Sequence, residues 1–395
     1  MKVLVLHSEL GILRGGGENV TRNLFAAFAK RGHDITAAFV ANRNGQYRIP
    51  LPSDIKPIPL PGWWSRKFGQ RILSSIGRCM PSKFELRAQW DRVQEAICSR
   101  TIRWHDRRFT RRVERDFGER WRDFDVVYVH GSVVLAGKVA RYCPTVLFLP
   151  GPVTAELEPA LRAAHVVCAH DDALARIHEF LGNHAVELRL GLDCQIFTPG
   201  TTSVRSALGW TDQHRVVGYV GRLAHIKGID LLATAFRQIA ENVDNIRLLI
   251  VGTGEEEGKI RSILAKQLAR GMVHIESDVP HQRLADWYRA MDLFVMPSRY
   301  ETMSNAILEA LACEVPFLAS GVGGNRIIAR TGGGWLFQHE CAKSLSTCLQ
   351  HIIENRQEMK SRGTLGAEYV RKHYSWSASA ERLESIIKSR LPLTT

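Results

Sequence analysis

The opening residues are apolar at almost every position, and short runs of this kind recur along the whole chain. They fall at Lys2–His7, Ile35–Val40, Asp125–Val129, Thr145–Leu149 and His165–Cys168, then at Arg215–Val220, Ile246–Val251, Val273–Glu276, Leu293–Met296 and Val315–Ala319. Between them the period becomes helical. Val20, Leu24, Ala27 and Phe28 share one face of Glu18–Arg31, and helical patterns cover Ile229–Glu241, Glu255–Ala269, Gln282–Met291, Asn305–Ala312 and Ala342–Glu354. Continuous apolar strands alternating with helices predict parallel sheets covered on both faces, an α/β fold. The alternation lapses at Leu188–Ser203, rich in Gly, Pro, Thr and Ser, and then restarts. Two α/β domains are therefore predicted, over 1–190 and 191–375, with a last helix over 376–395.

One segment breaks the pattern. Over 62–122 no strand signal occurs, while Leu86, Trp90, Val93, Ile97, Thr101 and Trp104 follow helical spacing and predict an apolar stripe among arginines. Five of the nine tryptophans lie here, and the segment holds 16 basic against 7 acidic residues. It thus carries +9 of a net charge of +13, so a partner for that charge is to be sought here first. With 45% hydrophobic and 24% charged residues, the composition excludes a mostly disordered chain and a multi-span membrane protein. No apolar stretch reaches a bilayer-spanning length, and the first run is too short for a signal peptide. The eight cysteines are scattered without a C-x-x-C pair, which predicts neither a disulfide framework nor a zinc site and fits a reducing cytosol.

Candidate chemistry sits where predicted strands end. Gly221-Arg222 follows one strand and Lys227-Gly228 opens the next helix, so two cations share a loop that can reach a diphosphate. A solvated surface loop is the plainer alternative. Further on, Glu301, Met303, Ser304 and Asn305 follow another strand, with Ser304 as a helix N-cap whose free backbone N–H groups can face an anion. Glu301 and Glu309 could hold a hydroxyl-rich ligand near each end, although Glu309 could equally be an ordinary helix residue. Gly323-Gly324 adds a turn on the same edge.

Together these residues resemble glycosyltransferase family 4. The resemblance is carried by Gly221-Arg222 with Lys227-Gly228, by Glu301 and Glu309 within ETMSNAILEALACEVPFLAS, and by Gly323-Gly324. Gly15-Gly16-Gly17-Glu18, the segment Leu190–Phe197 and Tyr374-Ser375-Trp376 add to it. It covers nearly the whole chain apart from 62–122. It implies the GT-B fold, two Rossmann-like domains facing across a cleft, with the last helix crossing back to the first domain. It also implies retaining transfer of a sugar from a UDP- or GDP-sugar donor, without a metal or other cofactor. Arg222 and Lys227 would grip the diphosphate, Glu309 the ribose, and Glu301 the transferred sugar with backbone near Met303 and Ser304. Gly16 and Gly17 would allow close approach of backbone to the ligand, and His130 matches the family's cleft histidine. The chain departs from the family pattern at Leu149-Pro150-Gly151-Pro152, where His is frequent, at Leu190, where Asn is usual, and at Asn325-Arg326-Ile327, where Glu is common.

For the basic aromatic segment two readings stay open. A Trp-bearing basic helix suits an anionic membrane surface, which would fit a peripheral enzyme on the inner face of the cytoplasmic membrane and a lipid-linked or glycan-precursor acceptor, as in lipopolysaccharide, exopolysaccharide or glycolipid assembly. The other reading is an insertion packed on its domain with a solvated arginine face. No nucleic-acid module is present, so nucleic acid is not an expected partner. Two rivals to transfer also stand, a sugar-nucleotide epimerase or phosphorylase on the same fold and a degenerate partner subunit without turnover.

Overall fold

The computed structural model describes residues 1–11, 16–42, 44–61, 104–150, 158–169, 174, 177–179, 181–189, 191–301 and 303–392. Residues 62–103, Gly15, Gly151-Pro152 and Leu190, on which parts of the sequence reading rest, lie outside them. The chain forms two compact units, Met1–Leu188 together with Ser379–Thr395, and Arg189–Ala378.

The first unit is built on a seven-stranded sheet, every pairing parallel, in the order β3-β2-β1-β4-β5-β6-β7. Its strands are β1 Lys2–Leu6, β2 Asp34–Ala41, β3 Ile55–Pro61, β4 Val126–His130, β5 Thr145–Leu149, β6 Val166–Ala169 and β7 Ala185–Glu187. Strand β4 is buried at every position, as a strand covered on both faces must be. Each such Val or Leu contributes roughly 1.5–3 kcal/mol by leaving water. Strand β3 was not predicted, because IKPIPLP carries three prolines. Among the described residues it lies at the sheet edge with β2 as its one neighbour, and Pro57, Pro59 and Pro61 alternate along it. Successive peptide groups point to opposite sides, so the missing N–H groups all fall on one side of the strand, a pattern an edge tolerates.

In the second unit a six-stranded sheet has the order β10-β9-β8-β11-β12-β13, again with every pairing parallel. Its strands are β8 Arg215–Val220, β9 Ile246–Val251, β10 Val273–Glu276, β11 Leu293–Met296, β12 Phe317–Ser320 and β13 Gly334–Phe337. Helix Ile229–Ile239 buries Ile229, Leu232, Ala233, Phe236 and Ile239 in the core, following the predicted period. The helix predicted over Glu255–Ala269 is two shorter ones, Glu257–Ile263 and Ala265–Ala269, that meet at Leu264. Helix Arg356–His373 was not predicted. Its buried residues are Met359, Gly363, Gly366, Ala367 and Val370, too small and too few to leave an apolar stripe.

Of the basic segment, residues 104–117 are helical and lead into the 3₁₀ turn Gly118–Asp123. Phe109, Val113, Phe117 and Trp121 join the core of the first unit. Trp104, predicted on the apolar stripe, is instead 45% exposed, on the same face as Arg107, Arg108, Arg111 and Arg115. The buried positions here run 105, 109, 113 and 117, so the apolar face is turned away from the phase that Leu86–Trp104 suggested.

Candidate active site

In the second unit β8 and β11 are neighbours whose outer strands run in opposite directions of chain order. Ligands of open α/β sheets bind beyond the carboxyl ends at such a switch point. Both predicted loops leave the sheet there. After β8 the backbone passes through Gly221, and the Tyr219 hydroxyl donates to the Arg222 carbonyl at 2.8 Å, fixing the loop from beneath. Burial raises the Tyr219 phenol above its ordinary pKa, with the Glu301 carboxylate adding to the effect. Arg222 itself is exposed and has no side-chain hydrogen bond or ion pair among the described residues. The 3₁₀ turn His225–Lys227 follows, closed by Gly228 at φ +65°. A Cβ at Gly228 would fall on the Pro297 carbonyl oxygen, so glycine is what lets the two loops touch.

The loop after β11 meets this turn. The Lys227 Nζ donates to Glu301 Oε2 at 2.6 Å, and Ser298 Oγ donates to the same oxygen at 3.3 Å. Glu301 is 8% exposed, so its charge is held almost out of water beside a cation. Its carbonyl accepts from the Gly324 N–H at 3.2 Å, which ties in the turn after β12. The side chain of Asn325, one of the departures from the family pattern, is fully buried and donates to the Ser320 carbonyl at 3.1 Å. Ser304 caps helix Asn305–Ala312, accepting from the Ile307 N–H, with Met303 half-buried before it and Asn305 exposed as the first helical residue.

Glu309 is no ordinary exposed helix residue. It is buried, Oε2 accepts from the Tyr288 hydroxyl at 2.8 Å, and Oε1 lies 3.3 Å from His281 Nε2. The hydrogen bond to Glu309 raises the His281 pKa against the opposing effect of burial. Neither Tyr288 nor His281 was singled out from sequence, since no local period links them to Glu309. Arg299 was also missed. Its guanidinium forks onto Asp230 at 2.8 and 3.1 Å and donates to the His225 carbonyl at 2.6 Å, bracing the turn that carries Lys227.

In the first unit the corresponding switch point lies between β1 and β4. Helix Gly16–Lys30 begins on Gly16-Gly17, and one turn further its Thr21 hydroxyl lies 3.0 Å from His130 Nδ1. His130 is 8% exposed and ends β4, and it stacks on His7, which follows β1, with ring centroids 4.1 Å apart. The signal that could have marked His7 was present: two apolar strands, adjacent in the sheet, each running into a histidine. The structure thus gathers Arg222, Lys227, Glu301 and Ser304 on two neighbouring loops of one unit, with Glu309 in the helix that Ser304 caps, and His130 with the Gly16-Gly17 helix in the other.

Two Rossmann-like units with parallel sheets and switch-point sites define the GT-B fold. Residues 214–355 match the family model described as glycosyl transferases group 1. The chain is 30% identical over 212 residues to D-inositol 3-phosphate glycosyltransferase 1 of Catenulispora acidiphila, covering 51% of this chain and 50% of that protein. It is also 30% identical over 229 residues to a GDP-mannose-dependent monoacylated alpha-(1-6)-phosphatidylinositol monomannoside mannosyltransferase of Corynebacterium glutamicum, covering 55% of this chain and 60% of the relative. The chain therefore spans about half the length of the curated relatives it matches. Among solved structures, sucrose-phosphate synthase from Thermosynechococcus elongatus superposes with a TM-score of 0.72 over 98% of both chains at 18% identity, a likeness of fold.

Proposed function

We propose that the chain is a retaining hexosyltransferase that moves a sugar from a nucleoside-diphosphate donor, UDP- or GDP-linked, to a lipid-linked or glycan-precursor acceptor. The observation that carries the reading is the Lys227–Glu301 ion pair, held beside the exposed Arg222 at the switch point. Arg222 and Lys227 take the donor diphosphate, and their positive charge offsets the negative charge that grows on it as its bond to the anomeric carbon breaks. The acceptor hydroxyl oxygen forms the new bond to that carbon, and its proton passes to the departing diphosphate. No metal or other cofactor is assigned a role, since two preorganised cations already supply the charge. Glu301 orients hydroxyls of the transferred sugar next to the Ser304 cap, and Glu309, pinned by Tyr288 and His281, accepts from the ribose hydroxyls. His130 and the Gly16-Gly17 helix start serve the acceptor side.

A lipid-linked acceptor is supported by the relative from Corynebacterium glutamicum, whose printed substrate is a phosphatidylinositol monomannoside. The arginine face of residues 104–117 adds to this, because an anionic membrane surface favours such charge. No helix among the described residues is long and apolar enough to cross a membrane. Our reading is a peripheral attachment on the inner face of the cytoplasmic membrane, supported by this arginine face.

Calorimetry of the purified protein against UDP- and GDP-sugars tests the donor site. One base is expected to bind in the micromolar range. Lys227→Ala and Glu309→Ala should each weaken binding by roughly tenfold or more, the worth of one charge-assisted contact, with the fold intact by circular dichroism. Unchanged affinity in both variants would remove the site assignment. Release of free nucleotide without any acceptor would favour an epimerase, and failure of every nucleotide to bind would favour a partner subunit without turnover.

A further inference from the structure

The two carboxylate oxygens of Glu309 are held by different kinds of group. Oε2 accepts from the Tyr288 hydroxyl at 2.8 Å, and that ring is fully buried on the helix Leu284–Arg289. Burial, with the Glu309 charge beside it, raises the Tyr288 phenol well above its ordinary pKa, so this bond keeps its proton through the neutral range. Oε1 lies 3.3 Å from Nε2 of His281, whose side chain is 51% exposed at the start of the 3₁₀ turn His281–Arg283. The Phe197 ring meets this imidazole edge-on, with centroids 5.2 Å apart at 78°, and offers it no hydrogen bond. An imidazole can donate from Nε2 whether neutral or charged, but only the charged form offsets the carboxylate. One oxygen of Glu309 is thus fixed, and the other has a partner whose charge changes near neutrality.

The remaining groups around the pair leave that change to His281. The hydrogen bond to Glu309 raises the His281 pKa against burial, and the charges of Glu309 and Asp193 add to the rise. Cys313, which closes the Glu309 helix, is pushed up to about 12 by burial. Arg289 is engaged with Asp286 and the Thr198 carbonyl. We infer that His281 is a positioning residue for Glu309 whose proton is linked to donor binding. As imidazolium it holds Oε1 by a charge-assisted bond and offsets a carboxylate that would otherwise repel an incoming diphosphate. Affinity for the donor is then highest with His281 protonated and falls as pH rises through its titration. By reciprocity the bound donor must hold the proton more tightly by the same factor. The link to the donor rests on Glu309 meeting the ribose as proposed above, whereas the pair itself stands on geometry.

Histidine NMR of the full chain follows the titration, with His281→Gln identifying the signal. Calorimetry follows affinity for UDP-glucose and GDP-mannose, whose diphosphates stay fully ionised throughout. In the free wild type the His281 midpoint is expected above that in Glu309→Gln. A bound nucleotide-sugar should raise it by roughly half to one pH unit further, and affinity should be about threefold to tenfold weaker at about pH 8.5 than at about pH 5.5. His281→Gln keeps a donor to Oε1 without the charge, so its affinity should be flat over this range. A His281 midpoint unmoved by Glu309→Gln overturns the inference. Flat affinity in the wild type, or equal pH dependence in wild type and His281→Gln, overturns it as well. Binding of neither nucleotide-sugar at any pH, with the His281 midpoint still set by Glu309, supports the pair and counts instead against the donor reading.

Discussion

Asp230 reaches the donor loop through a single intermediary. Its carboxylate takes the Arg299 fork, and the same guanidinium holds the His225 carbonyl two residues before Lys227. Burial alone would raise the Asp230 pKa, but hydrogen bonds from Arg299 and Lys259 outweigh it and bring the value from 3.8 to about 2. A depressed carboxyl contributes stability that is complete above its unfolded pKa and is lost as pH falls through the folded value. The pair should therefore stabilise the second unit in full above about pH 4 and lose on the order of 2 kcal/mol by about pH 2. Chemical denaturation of wild type and Asp230→Asn across that window should converge as the pH drops. Parallel curves would mean that the pairing is not the source. At this scale the sequence was legible only in part. Arg222, Lys227, Glu301 and Glu309 could be marked because each follows a strand in a repeated strand–loop–helix pattern. Their partners could not, since Lys227 and Glu301 are 74 positions apart and His281 meets Glu309 across 28. Side chains brought together by sheet topology leave no trace in local spacing.

Among elements, the helical residues 104–117 combine two jobs on opposite faces. Phe109, Val113 and Phe117 anchor one face in the core of the first unit, while Trp104 and four arginines remain in solvent on the other. The Arg108 guanidinium lies over the Trp104 ring at 4.4 Å, so cation and indole form one amphiphilic surface. Near an anionic bilayer each arginine contributes about 1 kcal/mol. Changing Arg107, Arg108 and Arg111 to Gln should then lower partitioning onto phosphatidylglycerol vesicles by on the order of 100-fold at low salt, with a smaller difference at high salt. Equal sedimentation of wild type and triple variant with the vesicles would leave packing as the helix's whole role. Elements were the most readable level. Fully buried strands such as β6 and β11 announce themselves as unbroken apolar runs. Strand β3, made of alternating prolines on a sheet edge, and helix Arg356–His373, with small residues at its buried positions, were hidden because their fit depends on neighbours rather than on composition.

For the whole molecule, the division into units does not follow the order of the chain. The segment Ser379–Thr395 belongs with Met1–Leu188, so the first unit is closed by residues from both ends. The doubly wound patterns on either side of Leu188–Ser203 made two domains visible in sequence, but the final helix has a weak amphipathic pattern that names no partner. Its attachment is explicit in the structure. Glu384 pairs with Arg31 at 2.6 Å, Arg382 donates to the Glu187 carbonyl, and Leu383, Ile386 and Ile387 are buried. Hydrogen bonds from Lys388 and Arg31 hold the Glu384 carboxyl at a pKa of about 2. Three buried aliphatic side chains at ~1.5–3 kcal/mol each amount to roughly 5–9 kcal/mol, which is comparable to the whole stability of a domain. A chain ending at Ala378 should accordingly lose the first unit and keep the second, whose strands and donor loops lie entirely within Arg189–Ala378. Limited proteolysis would then cut within Met1–Leu188 and leave a resistant fragment beginning near Arg189, while nucleotide affinity stays within a few-fold of the full chain. Equal resistance of both units in the shortened chain would mean that the first sheet stands without its C-terminal helix. Loss of nucleotide binding together with resistance would mean that the two units fold as one cooperative body rather than as separable ones.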